Sequence, residues 1–318
     1  MAECTEKIKI LAVVGSTASG KTSTAVCLAK KLNGEIVSCD SMQIYRRMDI
    51  GTAKPTEKEK EGIPHHLIDI AEPDQPFSCA DYVKAAQDAI ADLTARGKLP
   101  ILCGGTGLYL DSLLRGGNFE ETQTNPALRQ ELLEFAQCYG NHALHERLTA
   151  IDPESAAAIH ENNVKRVVRA IEIYETTGMT KTEADRRSRI PDSPYDATVI
   201  GLRYHEREIL YDRINRRVDI MMEQGLVEET RGLMEEGVFE RNSTAAQAIG
   251  YKELLGYLRG EESLANAVER LKQATRRYAK RQITWFGAKE YVQWVDMTKD
   301  GKPRGTDEIL REILTLQG

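Results

Sequence analysis

The apolar positions alternate between two periods over the first hundred residues. Ile8 to Val14 is a short, mainly apolar run that ends at Gly15, the pattern of a strand buried on both faces. From Thr22 to Leu32 the apolar residues Ala25, Leu28, Ala29 and Leu32 return near helical spacing, with Gly34 beyond them as a stop. Glu35 to Ser38 predicts a second strand, leading to Asp40. Ser78 predicts an N-cap, with Asp81 three residues on, for a helix whose buried stripe is Val83, Ala86, Ile90 and Leu93 and which closes at Gly97. Pro100 to Cys103 predicts a third strand, running into Gly104-Gly105-Thr106-Gly107. Strand, helix, strand, helix, strand at these lengths predicts an α/β fold with a parallel β-sheet flanked by helices.

The pattern changes after Gly116-Gly117. From Pro126 to Arg189 every periodic segment reads as helical, including a stripe of Val164, Val167, Val168 and Ile171. The β-branched run Thr198 to Leu202 then returns the chain to the sheet. Helices resume over Glu206 to Glu235 and Ser263 to Lys289, and Val292 to Val295 predicts a last short strand. The expected organisation is an α/β core from residues 1–122 and 195–318, interrupted by an all-helical insertion domain over 123–194.

Composition limits the classes. The 318 residues carry 43 Lys and Arg against 49 Asp and Glu, a formal charge of -6, which argues against a generically basic nucleic-acid coat protein but not against a local basic face. With 41% hydrophobic and 29% charged residues the chain lies outside the disordered class. No stretch reaches the roughly 18 apolar residues of a membrane span, and the N-terminus lacks a signal-type hydrophobic region. Six scattered cysteines without a CxxC pair predict reduced thiols and a cytoplasmic protein.

Chemistry enters at Gly15, Ser16, Thr17, Ala18, Ser19, Gly20, Lys21 and Thr22, a complete GxxxxGK[ST] between a strand and a helix. Such a loop turns backbone amides and a helix N-terminus toward an anion. Lys21 adds a point charge and Thr22 a hydroxyl ligand for Mg²⁺. The motif leaves open whether the phosphate belongs to ATP or to another diphosphate. Asp40 is either a carboxylate presented at a strand end or a turn residue, and the glycines around Thr106 either build a site or merely a tight turn. In a parallel sheet the carboxyl ends of all strands share one edge, so the phosphate loop, Asp40 and Thr106 are expected to converge. The third strand ends without an acid, a point against routine ATP hydrolysis.

Charge is uneven along the chain. Arg270, Lys272, Arg276, Arg277, Lys280, Arg281 and Lys289 stand in one acid-free run with Tyr278, Trp285 and Phe286 among them, read either as a solvated helix face or as a nucleic-acid backbone stripe. Trp285 and Phe286 are expected to be partly core, and His65 and His66 to be structural.

Taken in order, GSTASGKT, DSMQIYRRMDIGTAKPT, PHHLID, GGTGLY, VKRVVRAIE, QAIGYKE and RRYAKRQITWF make the chain resemble the bacterial tRNA dimethylallyltransferases, also called tRNA isopentenyltransferases, over nearly its whole length. The resemblance implies a P-loop NTPase-like core, and transfer of a dimethylallyl group from dimethylallyl diphosphate to N6 of the adenine 3′ of the tRNA anticodon. The phosphate loop would hold the diphosphate, with Mg²⁺ at Thr22 and Arg217 as a further contact for which Arg213 and Arg216 compete. Asp40 would be the general base and Thr106 the partner of the bridging oxygen. Contacts to the anticodon stem-loop would come from Asp40, Ser41, Met42, Gln43, Thr106, Arg129, Lys165, Arg166, Val167, Val168, Arg169, Gln247, Ala248, Ile249, Gly250, Tyr251 and Lys252. No membrane or obligate protein partner is implied. The rivals are a nucleotide kinase, a prenyltransferase of free AMP or ADP, and a non-enzymatic RNA-binding module. The kinase does not need the basic run, the AMP enzyme leaves it without a purpose, and the binding module leaves Lys21, Thr22, Asp40 and Thr106 surplus.

Overall fold

The computed structural model describes residues 7–115, 125–187, 193–242 and 244–316. In chain order the first unit contains β1 (Ile8–Gly15), α1 (Lys21–Leu32), β2 (Gly34–Ser38), α2 (Glu57–Lys60), β3 (His65–His66), α3 (Cys79–Ala95), β4 (Leu99–Gly104) and α4 (Gly107–Leu114). It resumes with β5 (Tyr195–Arg203), α9 (Arg207–Glu223), α10 (Leu226–Glu235), α11 (Val238–Arg241), α12 (Leu255–Leu258), α13 (Leu264–Gly287), β6 (Val292–Asp296), the short hairpin β7 (Thr298–Lys299) and β8 (Lys302–Pro303), and α14 (Thr306–Thr315). Between these stretches the chain forms α5 (Pro126–Ile151), α6 (Pro153–Ala158), α7 (Val164–Thr177) and α8 (Lys181–Arg187). The two compact units are residues 1–114 with 194–318, and residues 115–193.

The sheet of the first unit is parallel throughout, in the order β3-β2-β4-β1-β5-β6. β1 lies between β4 and β5, and alternate residues of it enter two different cores. Ile10, Ala12 and Val14 pack with Tyr82, Val83, Ala86, Ile90 and Leu93 of α3 and with Phe286 of α13. Leu11 and Val13 pack with Ala25, Val26, Leu28 and Ala29 of α1 and with Ile309 and Ile313 of α14. This two-sided burial is why the run reads as continuously apolar. The Ser78–Asp81 capping box that opens α3 is present, with Ser78 Oγ accepting from the Asp81 amide at 3.1 Å. The segment expected to be helical from Glu206 to Glu235 is broken at Gly225, whose φ of 98° ends one helix and starts the next. His65 and His66 form the sheet's edge strand β3, His66 pairing with the buried Glu35 at 2.8 Å. The expected structural role of the histidines is what the fold gives them.

The second unit is all-helical in its described residues and has its own core, built from Leu132, Leu144, Leu148, Val167, Val168 and Ile171. Gly140, at φ 89°, kinks α5. Buried Glu172 of α7 gathers two arginines, Arg129 at 2.8 Å and Arg169 at 2.6 Å. Asp152 opposes the cost of its burial with hydrogen bonds from the Ser155 and Thr182 amides and the Thr182 hydroxyl, which hold its carboxyl down at about 2.

Candidate active site

The strand order puts three loops side by side. β2, β4 and β1 are consecutive in the sheet, and their carboxyl ends lead into Asp40, Thr106 and the phosphate loop respectively. The ladders end level with one another: Ser38 is opposite Cys103, and Val14 opposite Gly104. Past the ladder the first two loops stay bonded. The Cys39 amide donates to Cys103 O at 2.8 Å, the Thr106 amide to Cys39 O at 3.2 Å, and the Ser41 amide to Thr106 Oγ1 at 3.0 Å.

The phosphate loop turns into α1 at Gly20, whose φ of 95° only glycine adopts without strain. Lys21 folds back over the loop, its Nζ donating to Ser16 O at 2.7 Å. Burial pushes the Lys21 ammonium down to about 8. Cys103 and Asp40 oppose this, and the Arg217 guanidinium adds to it. Arg217 is also driven down by its burial and donates to Ala53 O at 3.4 Å. Arg213 and Arg216 are both exposed, and Arg213 braces the loop by donating from Nε to Ala18 O at 2.9 Å. Cations gathered this closely repel one another, and an oligophosphate bound among them would offset that repulsion.

A cleft of about 820 Å³ opens here, lined by Gly20, Lys21, Thr22, Arg213, Arg216 and Arg217 together with residues of the 49–61 loop. Thr22 lines it with no hydrogen-bond partner for its hydroxyl among the described residues. No cluster of three or more acids, imidazoles or thiols able to hold a metal occurs among the described residues, so a Mg²⁺ ion at Thr22 would complete its shell from the phosphate oxygens and water. The residues fit that arrangement.

Asp40 and Thr106 stand outside the cleft lining but next to it. The Asp40 carboxylate bears on the ionisation of Lys21, Arg217, Tyr278 and Cys103. Its Oδ1 accepts from the Met42 amide at 2.9 Å, while Oδ2 has no protein partner among the described residues. Asp40 is therefore both the turn residue and the presented carboxylate between which its sequence context did not choose. The Tyr278 hydroxyl reaches toward Thr106, and burial, reinforced by the charge of Asp40, holds it far above the ordinary phenol range.

Comparisons with known proteins place the chain in a family. The family model described as IPP transferase matches residues 43–289. Tested against curated proteins, the chain is 51% identical over 292 residues to the tRNA dimethylallyltransferase of Halalkalibacterium halodurans, covering 92% of each chain. It is also 51% identical over 306 residues to that of Geobacillus thermodenitrificans, covering 96% of each. The chain belongs to the IPP transferase family. Among solved structures, the tRNA isopentenylpyrophosphate transferase of Bacillus halodurans matches with a TM-score of 0.72 at 47% identity, over 98% of this chain and 96% of that one. A eukaryotic dimethylallyltransferase acting on tRNA matches with a TM-score of 0.76 at 31% identity, over 91% of this chain and 74% of that one. The expected fold class, a P-loop NTPase-like α/β core, is the fold of these IPP transferases.

For an IPP transferase whose relatives act on tRNA, the surface residues matter next, and here the structure narrows the expectation. Val167 and Val168 are core residues of the insertion, and Ala248 and Tyr251 of the first unit, with Gly250 buried beside them. Their side chains cannot reach an RNA surface. Lys165, Arg166, Gln247, Ile249 and Lys252 retain exposure in the same segments. Gln43 spends its amide inside the protein, accepting from Ser38 Oγ at 3.2 Å and donating to Ala53 O at 3.2 Å, and so ties Asp40's loop to the one that Arg217 touches. Ser41 and Met42 remain partly exposed.

The acid-free run on α13 is also narrower than its composition suggests. Arg270 pairs with Glu262, Lys272 with Asp219, Arg276 with Glu269 and Asn215, and Lys289 with Asp111. Arg277 and Lys280 are exposed without an acidic partner among the described residues, and Arg281 lies over the Tyr278 ring. Phe286 is fully buried and Trp285 partly so, as expected. Sequence reasoning read Tyr278 only as one of the aromatics within the basic run, and it passed over Gln282 altogether. Gln282 is 5% exposed and bonds to both the phosphate loop and the loop of Thr106. The available signal was a helical period, since 278, 282 and 286 lie about one turn apart on the face turned away from Arg277 and Lys280.

Proposed function

We propose that this protein transfers a dimethylallyl group from dimethylallyl diphosphate to N6 of the adenine 3′ of the tRNA anticodon and releases diphosphate. The observation that carries the reading is the juxtaposition of a cation-rich phosphate cradle with a carboxylate that keeps one oxygen free, on neighbouring strand ends.

In the transfer the bond between the allylic carbon and the bridging oxygen breaks, its electron pair leaving with the diphosphate. The N6 lone pair forms the new C–N bond, and the N6 proton passes to Asp40 Oδ2. Lys21, Arg217 and the loop amides take up the charge that develops on the leaving group, where preorganised donors in a dry site are most effective. Thr106 Oγ1, fixed by the Ser41 amide, would donate to the bridging oxygen. A Mg²⁺ ion held at Thr22 would further lower the charge of the departing diphosphate. An adenine inside a stacked loop cannot present N6 to a carboxylate at a sheet edge, so the base would be flipped out of its stack. In the first unit, Arg277 and Lys280 on α13 would contact the tRNA backbone. In the insertion, taken by itself, Lys165 and Arg166 are the exposed bases suited to the same role, while Arg129 and Arg169 are paired with Glu172.

Five free thiols among the described residues fit a reducing, cytoplasmic setting. No helix among the described residues is long and apolar enough to cross a membrane. Incubation with radiolabelled dimethylallyl diphosphate, Mg²⁺ and unmodified tRNA tests the proposal. Label is expected in tRNA without ATP and not in AMP or ADP. Transfer only to the free nucleotide, or none without ATP, would refute it.

A further inference from the structure

Gln282 makes two hydrogen bonds that no other side chain of the site makes together. Its Oε1 accepts from the Thr17 amide of the phosphate loop at 2.8 Å, and its Nε2 donates to Gly105 O, next to Thr106, at 3.0 Å. The backbone ladder between β1 and β4 ends at Val14 opposite Gly104, so beyond that point the two loops have no strand pairing to keep them in register. A primary amide can replace it, because it presents an acceptor and a donor on one rigid plane. The approach is close: a Cβ on Gly105 would lie 2.1 Å from Gln282 Nε2. Four residues earlier on the same helix, Tyr278 brings its hydroxyl toward Thr106.

We propose that Gln282 is a positioning residue of the transfer reaction, setting the separation between the loop that holds the departing diphosphate and the loop that holds the acceptor side. The inference rests on the transferase reading above. An in-line displacement needs leaving oxygen, carbon and nitrogen along one path, and misplacement by about 1 Å costs on the order of 10²-fold in rate. The helix itself does not depend on Gln282 for its docking. Leu271, Ala279 and Phe286 bury fully in three separate cores. Loss of the amide therefore releases the loops and leaves α13 seated. The Thr17 N–H is already committed to Gln282, so the same loss should leave the grip on diphosphate largely intact.

Gln282→Met keeps the shape and removes both hydrogen bonds, and Gln282→Glu keeps the acceptor for Thr17 while losing the donor to Gly105. The experiment measures single-turnover transfer of labelled dimethylallyl to tRNA at saturating donor, the KM for the donor, and inhibition by inorganic pyrophosphate with Mg²⁺. Gln282→Met is expected to slow saturated transfer about 10²-fold while KM and pyrophosphate inhibition move less than about threefold, and Gln282→Glu to slow it as well. A folded variant of either kind that transfers within about threefold of wild type overturns the proposal. So does a rate loss matched by an equal loss of pyrophosphate affinity, and so does failure of both variants to fold, which would make Gln282 a structural residue. Wild-type protein run alongside separates the two readings. An active wild type with active variants removes only the role of Gln282, whereas an inactive wild type removes the transferase reading and this inference with it.

Discussion

The two halves of the site are built in opposite ways. The phosphate side is mainly local: eight consecutive residues, Gly15 to Thr22, carry the turn, the lysine and the hydroxyl, while Arg213 and Arg217 reach it from a distant helix. The acceptor side is assembled from afar. Asp40, Thr106, Tyr278 and Gln282 come from three different parts of the chain, joined by strand order and by one helix that lies across two loops. Local construction makes the first half readable and robust. Dispersed construction makes the second dependent on packing, so substitutions there should affect rate more than binding.

The sharpest test of that contrast is Asp40→Asn, which retains an acceptor for the Met42 amide and removes the base. Saturated transfer is expected to fall on the order of 10³-fold with tRNA affinity nearly unchanged in a filter-binding assay. A parallel loss of tRNA affinity would instead make Asp40 a binding residue. On the phosphate side the largest effect should be on affinity. Lys21→Met is expected to weaken inhibition by inorganic pyrophosphate on the order of tenfold or more at pH 7. The difference between wild type and variant should shrink as pH rises through about 8, because the buried ammonium loses its proton there rather than near 10.5. The sign for stability is the reverse of a salt bridge. The charged form is the disfavoured one in the fold, so the cost is present below pH 8 and is relieved between 8 and 10.5. A difference that stays constant from pH 7 to 9.5 would place the Lys21 pKa elsewhere.

The smallest effects are expected on α13. Arg277→Glu with Lys280→Glu should lower the slope of log affinity for tRNA against log salt by about one to two, while Arg276→Gln should leave it nearly unchanged, since Arg276 is already occupied by Glu269 and Asn215. An equal change from Arg276→Gln would mean that its pairs open in the complex.

Much of this was legible in the chain. The strands around β1, the capping box at Ser78, the helical insertion and the return at Thr198 follow from hydrophobic period and turn chemistry, which are local properties. The edge strand His65–His66 and the terminal helix α14 were not, because two residues carry no period and α14 follows a short hairpin without a strong signal. The segments expected to contact tRNA were legible only as segments. Their periodicity marks the buried face as clearly as the exposed one, and burial alone divides Val167, Val168, Ala248 and Tyr251 from their neighbours.

What the sequence determined by itself is the phosphate cradle and the order of elements that carries it, because a turn, a glycine φ and a helix start depend on adjacent residues. What the tertiary structure decided is which charges remain available and which loops act together. The acid-free run of α13 is neutralised at Arg270, Lys272, Arg276 and Lys289 by acids drawn from its flanks and from other elements, and Gln282 joins loops 177 and 265 residues away. Pairings across such separations are set by the packing of whole elements, and the chain near Gln282 carries no trace of the partners that packing brings to it.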